Sequence, residues 1–250
     1  VLGRLDVAAA QPETVAHEVD ANAARHAELI RAASARVVVF PELSLTGYEL
    51  EADALGASAP ALAAIVDACG ETGSVAFVGA PVEEAGRRYI ACLRVSGEGA
   101  DVVYRKSQLG GREAASFTPG RGPAVVELDG WRIGFGICKD TGTQEHVEAT
   151  AALGIDLYLA GLVHLPSELD EQDARGRSIS RRCNSYVAFA GFAGPTGDVF
   201  TETAGCSTIW DATGRAMARA DARPGRFVKA TLDADTGGAS GSATRPAIDG

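Results

Sequence analysis

The chain has 250 residues, 46% of them hydrophobic, which is enough to bury a full core as one large domain or as two small ones. A formal net charge of −10 and a pI near 4.9 argue against a nucleic-acid or anionic-membrane partner, because both need clustered basic surface. No apolar run approaches the roughly 20 residues of a membrane span; the longest candidate, Ile155 to Val163, carries Asp156 and Gly161. The first residues, VLGRLDVAAAQ, lack the basic region, apolar stretch and cleavage site of a signal peptide. The cysteines (Cys69, Cys92, Cys138, Cys183 and Cys206) are odd in number, scattered and without a CxxC pair. A disulfide framework or zinc knuckle is therefore not expected, and a reducing cytoplasm is the default location.

In chain order, Leu5, Val7 and Ala9 alternate with Arg4, Asp6 and Ala8, which predicts a first strand ending near Gln11. Pro12 and acidic Glu13 suit the first turn of a helix running to about Ala33, with Val15, Val19, Ala23 and Ile30 at helical spacing. Val37 to Phe40 is an apolar run of strand length, followed by the loop PELSLTGYEL carrying Glu42. Pro60 to Ala68 reads as a helix and Ser74 to Ala80 as a strand. This alternation opens a layered α/β domain.

Arg87 to Val95 and Asp101 to Tyr104 read as a hairpin around SGEG. The loop RKSQLGGREAASFTPGRG then lacks periodicity, and loops this long are usually functional or disordered. Ala124 to Leu128 and Trp131 to Ile137 flank Asp129-Gly130, a strong two-residue hairpin signal. In the second of these runs Ile133, Phe135 and Ile137 alternate with Arg132, Gly134 and Gly136, so one face is buried. The run stops at Cys138, Lys139 and Asp140, and a helix follows from about Gln144 to Leu153 with Val147, Ala151 and Ala152 on one side. A cysteine at such a strand-to-helix turn faces unpaired N–H groups and a helix dipole that favours a thiolate. The same pattern also suits a buried structural cysteine.

Ile155 to Ala160 reads as another buried strand and Leu169 to about Asn184 as a charged helix. Strands are expected at Tyr186 to Phe192, Ser207 to Trp210, Arg215 to Ala218 and Phe227 to Leu232, the second and third joined by Ala212-Thr213-Gly214. The small, polar tail from Asp233 to Gly250 is expected to be an arm or disordered. No repeat or linker divides the chain, so residues 1–250 are expected to form one domain.

Glu42, Lys106 and Cys138 each sit at the end of a predicted strand or in the loop behind one, where layered α/β sheets gather functional groups. Singly, Glu42 reads as a solvated loop carboxylate and Lys106 as a surface lysine. Together they supply a base, an electrostatic stabiliser and a nucleophile, the parts needed for acyl transfer. A structural ion pair between carboxylate and lysine would use the same residues.

In this order and spacing, FPELSLTGY, YRKSQL…E…F.PG and GICKD resemble the nitrilase superfamily, the carbon–nitrogen hydrolases. VAAAQ before them and GCSTIWDATGRAMA after them extend the likeness over most of the chain. The resemblance implies a single-domain, four-layer α-β-β-α sandwich, dimeric or higher, with a Glu–Lys–Cys triad and no metal or organic cofactor. Glu42 then falls on the general base, Lys106 on the catalytic lysine and Cys138 on the nucleophile. Glu113, before Phe117-Thr118-Pro119-Gly120, falls on a second glutamate that helps position substrate. Lys106 and the backbone N–H of Lys139 would stabilise an oxyanion. Tyr48, Leu162, Val163 and His164 are expected as pocket walls, although His164 equally suits an ordinary hydrogen-bonded histidine.

The chain departs from the family pattern where an aromatic residue is common after the cysteine and Lys139 stands here. Thr143-Gln144-Glu145 replaces a frequent Phe-Pro-Glu, Glu148 a frequent arginine, and Gly161 a frequent proline. Lys139 would favour a substrate bearing a carboxylate if it faces the site. The expected activity is hydrolysis of a small linear amide or carbamoyl compound through a Cys138 thioester, releasing ammonia or an amine. Acyl transfer and nitrile hydrolysis by the same residues, and a catalytically silent binding or assembly protein of this fold, are the alternatives. A redox thiol sensor is disfavoured because no resolving cysteine lies near in sequence.

Overall fold

The computed structural model describes residues 3–197 and 199–233. Its centre is two six-stranded sheets packed face to face. In the first sheet, β1 (Leu5–Gln11), β2 (Val37–Val39) and β3 (Val75–Glu84) are parallel neighbours. The antiparallel β4 (Arg87–Ser96) and β5 (Gly99–Arg105) extend it on one side. In the second sheet, β6 (Val125–Leu128) pairs antiparallel with β7 (Trp131–Ile137), which is parallel to β8 (Leu157–Leu162) and, beyond it, β9 (Tyr186–Gly191). The antiparallel β10 (Thr208–Trp210) and β11 (Ala216–Arg219) complete it. The last strand, β12 (Arg226–Leu232), returns to the first sheet and pairs antiparallel with β1, Leu5 opposite Leu232.

The period-two patterns sort the side chains into layers. Val7, Ala9, Val37, Val39, Ile133, Phe135, Ile137, Leu157 and Leu159 meet between the sheets. Ala8, Ala10 and Val38 face outward beneath α1 (Val19–Ala33) and α2 (Ala63–Thr72). Tyr158, Ala160 and Leu162 face outward beneath α3 (Gln144–Ala151) and α4 (Leu169–Cys183). The expected α-β-β-α sandwich is the observed architecture. Among the described residues, no helix is long and apolar enough to cross a membrane.

Several boundaries differ from the sequence expectation. The first helix starts at Val19 and not at Pro12. Asn22, fully buried on that helix, accepts a hydrogen bond from Val15 N and donates to Val15 O and Leu45 O, so the preceding segment is held as a turn. Val15 consequently stands outside the helix, 39% exposed. A short 3-10 turn, Pro60–Leu62, precedes α2. The buried face of α3 is His146, Val147 and Thr150, with Ala152 exposed beyond its end. The eighth strand runs two residues further than expected, to Leu162. Residues 234–250, nearly all of the expected tail, lie outside the described residues.

Helix α1 also braces the loop after β2. His26 is fully buried, stacked on Phe40 with ring centroids 4.2 Å apart. Its Nδ1 lies 2.7 Å from Asn22 O and its Nε2 2.8 Å from Ser44 Oγ. A carbonyl only accepts, so Nδ1 carries the proton and neutral Nε2 accepts from Ser44. Burial pushes the imidazole pKa down to about 4. Above pH 6.5 the ring is neutral in both folded and unfolded chains. Between about 6.5 and 4 only the unfolded chain takes up the proton, so stability falls as the pH drops through that window. Urea unfolding of wild type and His26→Gln across pH 4–7 should give parallel curves above about pH 6.5 and, between about 6.5 and 4, a wild type falling more steeply by up to about 1.4 kcal/mol per pH unit. Curves parallel throughout would show that His26 does not titrate this way.

Candidate active site

The two sheets deliver polar groups to one place from opposite sides. Glu42 follows β2 in a loop held by Phe40 N to Phe77 O (2.9 Å) and Leu45 N to Gly79 O (3.1 Å). Lys106 is the residue after β5, its N–H donating to Ile90 O (2.8 Å) and its carbonyl accepting from Gly120 N (2.8 Å). Glu113 opens a 3-10 turn, Glu113–Ala115, within the long loop that follows. All of these belong to the first sheet or its loops. Cys138 comes from the second, directly after β7.

Lys106 Nζ donates to Glu42 Oε1 and to Glu113 Oε1, both at 2.6 Å, in a setting where all three side chains are at most 4% exposed. Tyr48 Oη donates to the same Glu113 oxygen at 2.5 Å, and Gly110 N donates to Glu113 Oε2 at 2.6 Å. Glu42 has no such support: its Oε2 is buried without a hydrogen-bond partner among the described residues. The two carboxyl groups therefore diverge. Burial drives the Glu42 pKa well above the ordinary value, opposed by Lys106 and reinforced by the charges of Cys138 and Glu113. Burial also acts upward on Glu113, but the Lys106 charge and the hydrogen bonds from Lys106, Tyr48 and Gly110 hold it below its ordinary value. For Lys106, burial favours the neutral amine, yet the charges of Glu42, Cys138 and Glu113 outweigh it and raise the pKa. Separated pKa values in one carboxylate pair are the arrangement that divides a fixed anion from a proton carrier.

Cys138 has φ +41°, a left-handed conformation that is costly for a residue with a Cβ. The neighbouring residue of Glu42, Leu43, has φ +52°. Strain of this kind is stored where surrounding structure over-determines the backbone, often at functional sites. Cys138 Sγ lies 3.4 Å from Val163 O. The carbonyl of Cys138 accepts from Thr141 Oγ1 at 2.6 Å and from Arg175 Nη1, on α4, at 3.5 Å. The expected turn between strand and helix is present, formed as a five-residue 3-10 turn, Cys138–Gly142, before α3 begins at Gln144 as expected. The groups beside the sulfur are thus the N–H groups of one tight turn, which lack intrahelical acceptors, and not the end of a full helix dipole.

Of the expected wall residues, Tyr48 is half-buried at the site, its hydroxyl engaged by Glu113 and its ring edge-on to Phe200 at 5.1 Å. Val163 reaches the site through its carbonyl. His164 is 5% exposed with Nδ1 3.1 Å from Gln172 Oε1, and burial lowers its pKa. Leu162 is a correction. β8 is shifted two residues along from the expected strand, so Leu162 lies within it and on its outward face, in the cluster with Ile179 and Trp210 beneath the helices, and does not line the site. Lys139 is exposed, and its ammonium donates to Leu109 O at 2.7 Å, which ties the Cys138 turn to the loop after Lys106. Among the described residues no cluster of His, Cys, Asp or Glu is arranged to hold a metal ion.

Two glycines seat Glu42: Gly161, noted in the sequence only as standing where a proline is frequent, and Gly79, which no sequence signal marked. A Cβ on Gly79 of β3 would meet Pro41 O at 2.3 Å and Leu43 N at 2.4 Å, and one on Gly161 of β8 would meet Glu42 N at 2.6 Å and Phe40 O at 2.7 Å. The backbone around Glu42 is therefore gripped from both sheets at positions where only hydrogen fits.

The sequence matches the carbon-nitrogen hydrolase family over residues 6–240. The chain belongs to the carbon–nitrogen hydrolases. It is 31% identical over 182 residues to a hydrolase in the pqqF 5′ region of Pseudomonas protegens, an alignment covering 68% of this chain and 62% of that protein. It is 28% identical to a glutamine-dependent NAD(+) synthetase of Mycobacterium bovis, covering 94% of this chain and 39% of that one. The chain thus spans less than two thirds of the length of these curated relatives. An amidase of the nitrilase superfamily from Nesterenkonia, solved as a mutant, superposes with a TM-score of 0.79 at 22% identity, covering 93% of this chain and 92% of that one. The carbon–nitrogen hydrolase sandwich is therefore the fold of this chain.

Because the atoms facing Gly161 are backbone, Gly161→Ala should displace the Glu42 loop and cost about 1–3 kcal/mol. Gly56→Ala, where a Cβ meets nothing within 4 Å, is the matched control. Thermal melting reads the difference: a Gly161→Ala melting point equal to the control's would remove the grip on Glu42 from the account.

Proposed function

We propose that this carbon–nitrogen hydrolase cleaves the C–N bond of a small linear amide or carbamoyl compound through a thioester on Cys138. The observation that carries the reading is the buried ammonium of Lys106 held by two carboxylates of different character, with Cys138 near enough for its charge to act on Lys106 and Glu42.

A thiol with an ordinary pKa near 8.5 is mostly protonated at neutral pH and needs a base to attack. Glu42 is that base. Its unpartnered Oε2 takes the Sγ proton as sulfur bonds to the carbonyl carbon and the C=O electron pair moves onto oxygen. Lys106 and the backbone N–H of Lys139 stabilise that oxyanion, a kind of contact whose loss typically raises the barrier by about 3–4 kcal/mol. On collapse, Glu42 gives the proton to the departing nitrogen and ammonia or an amine leaves. Glu42 then deprotonates water, which attacks the thioester; the acid is released and the sulfur recovers its proton. Glu113 remains ionised throughout as the counterion of Lys106, supported by Tyr48 and Gly110. Glu42, with its raised pKa, is thereby left to carry the proton. Support from the fold neighbours is chemical in kind: in another mutant of the Nesterenkonia amidase, the acetamide moiety of fluoroacetamide is covalently added at the active-site cysteine.

The test is ammonia release from a panel of amides, carbamoyl compounds and nitriles. Wild type should turn over at least one amide or carbamoyl compound, and Cys138→Ala should lose that activity. Glu113→Gln, which keeps shape and removes the anion, should lower kcat by roughly 10²-fold. Equal rates for wild type and Cys138→Ala would end the proposal. The likeness to a glutamine-dependent synthetase over 94% of this chain favours a second reading, in which the amide is the side chain of glutamine. A preference of at least tenfold in kcat/KM for glutamine over simple monoamides would select it.

A further inference from the structure

The proposed chemistry draws Glu42, Lys106 and Glu113 from one sheet and Cys138 from the other, so the relative placement of the sheets at this point sets the geometry. One buried carboxylate spans the join. Asp140, two residues after Cys138, is fully buried. Its Oδ1 accepts from Gln108 N at 2.8 Å and Ser107 Oγ at 3.0 Å, and its Oδ2 from Tyr104 Oη at 2.7 Å and Ile137 N at 2.9 Å. Three of these donors flank Lys106 on the first sheet's edge: Tyr104 within β5, and Ser107 and Gln108 directly after the lysine. The fourth is the last residue of β7, immediately before Cys138. Ser107 Oγ also lies 3.2 Å from His146 Nδ1, and Lys139 Nζ adds a second tie to the same loop through Leu109 O.

We infer that Asp140 is the positioning residue of this site, holding the Cys138 turn and the Lys106 loop in one hydrogen-bonded unit that fixes the sulfur against the Lys106 ammonium. Charge is required as well as shape. An asparagine there presents an NH₂ on one side, and each side of Asp140 receives a backbone N–H as well as a hydroxyl. The hydroxyls can turn to accept, but Gln108 N or Ile137 N must lose its acceptor. The inference rests on the Cys138 nucleophile proposed above. Because Asp140 does not touch substrate, its loss should act on the rate of bond formation and leave binding alone.

Iodoacetamide, a small amide that alkylates thiols, reads this directly when the modification of each cysteine is followed by peptide mass spectrometry over a concentration series. In wild type, Cys138 should react at least tenfold faster than Cys69, Cys92, Cys183 and Cys206. In Asp140→Asn the maximal rate at Cys138 should fall by about 10²-fold, the cost typical of a misplacement near 1 Å, with the half-saturating concentration within about threefold of wild type. Loss of global stability alone would lower the melting point and leave this rate unmoved in the folded protein. A folded Asp140→Asn that alkylates at the wild-type rate overturns the inference and leaves the proposed triad standing. Wild-type Cys138 reacting no faster than the other cysteines overturns the triad and the inference with it. Should Asp140→Asn fail to fold, the double variant Tyr104→Phe/Ser107→Ala, which removes only the hydroxyl donors, decides: a three- to tenfold fall supports the inference and an unchanged rate overturns it.

Discussion

The constraint on which this site depends is the burial of the Lys106 ammonium. An ion taken out of water costs several kcal/mol unless its partners recover that loss, and here one cation meets two carboxylates. The excess negative charge must also be accommodated. Glu113 is accommodated by donors, since Tyr48 and Gly110 bond to it in addition to the lysine. Among the described residues Glu42 is bonded through its side chain to the lysine alone, and its pKa rises instead. The long loop after Lys106, featureless in periodicity, is shaped by this requirement: it must bring Glu113 back onto the same ammonium.

The rest of the architecture keeps that trio in register with the sulfur. Parallel strands at the centre of each sheet end near one another, so β2 and β7 place Glu42 and Cys138 on facing sides of the inter-sheet core. Gly161 of the second sheet lets the Glu42 loop of the first approach it closely, and Gly79 lets that loop lie against its own sheet, because neither carries a side chain to hold it off. The outer helices contribute from behind, α1 through His26 and Ser44, α4 through Arg175 on the Cys138 carbonyl. A site assembled from two sheets thus depends on packing at every layer.

Much of this was legible in the sequence because alternation along a strand reports directly on which side is buried. The runs at Leu5 and Trp131 show it, the run at Val37 shows burial on both faces as unbroken apolar sequence, and Glu42, Lys106 and Cys138 stand out as polar groups where the strands at Val37, Asp101 and Trp131 stop. What escaped notice depended on atoms distant in sequence. The late start of α1 follows from one asparagine side chain binding a backbone seven residues earlier. Leu162 reads as a wall residue beyond a strand ending at Ala160; with the strand shifted two residues on, it falls inside the alternation and shares the outward face of Tyr158 and Ala160. Gly79 looks like an ordinary member of an apolar run, and Gly161 shows only as a replacement for a frequent proline, until the facing backbone is known. Asp140 was visible only as a charge in a turn; its four donors come from residues 137 and 104–108, which no local pattern connects.

The pairing of β12 with β1 has a consequence for how the protein is made. Seven residue pairs, from Leu5–Leu232 to Gln11–Arg226, close the first sheet with a strand that leaves the ribosome long after β1. Until residues 226–232 emerge, the nascent chain must carry β1 as an open edge, the kind of surface that invites pairing with other chains. Completion of the sheet that bears Glu42 and Lys106 therefore waits for β12, and translation products ending before β12 would leave β1 as an exposed, aggregation-prone edge.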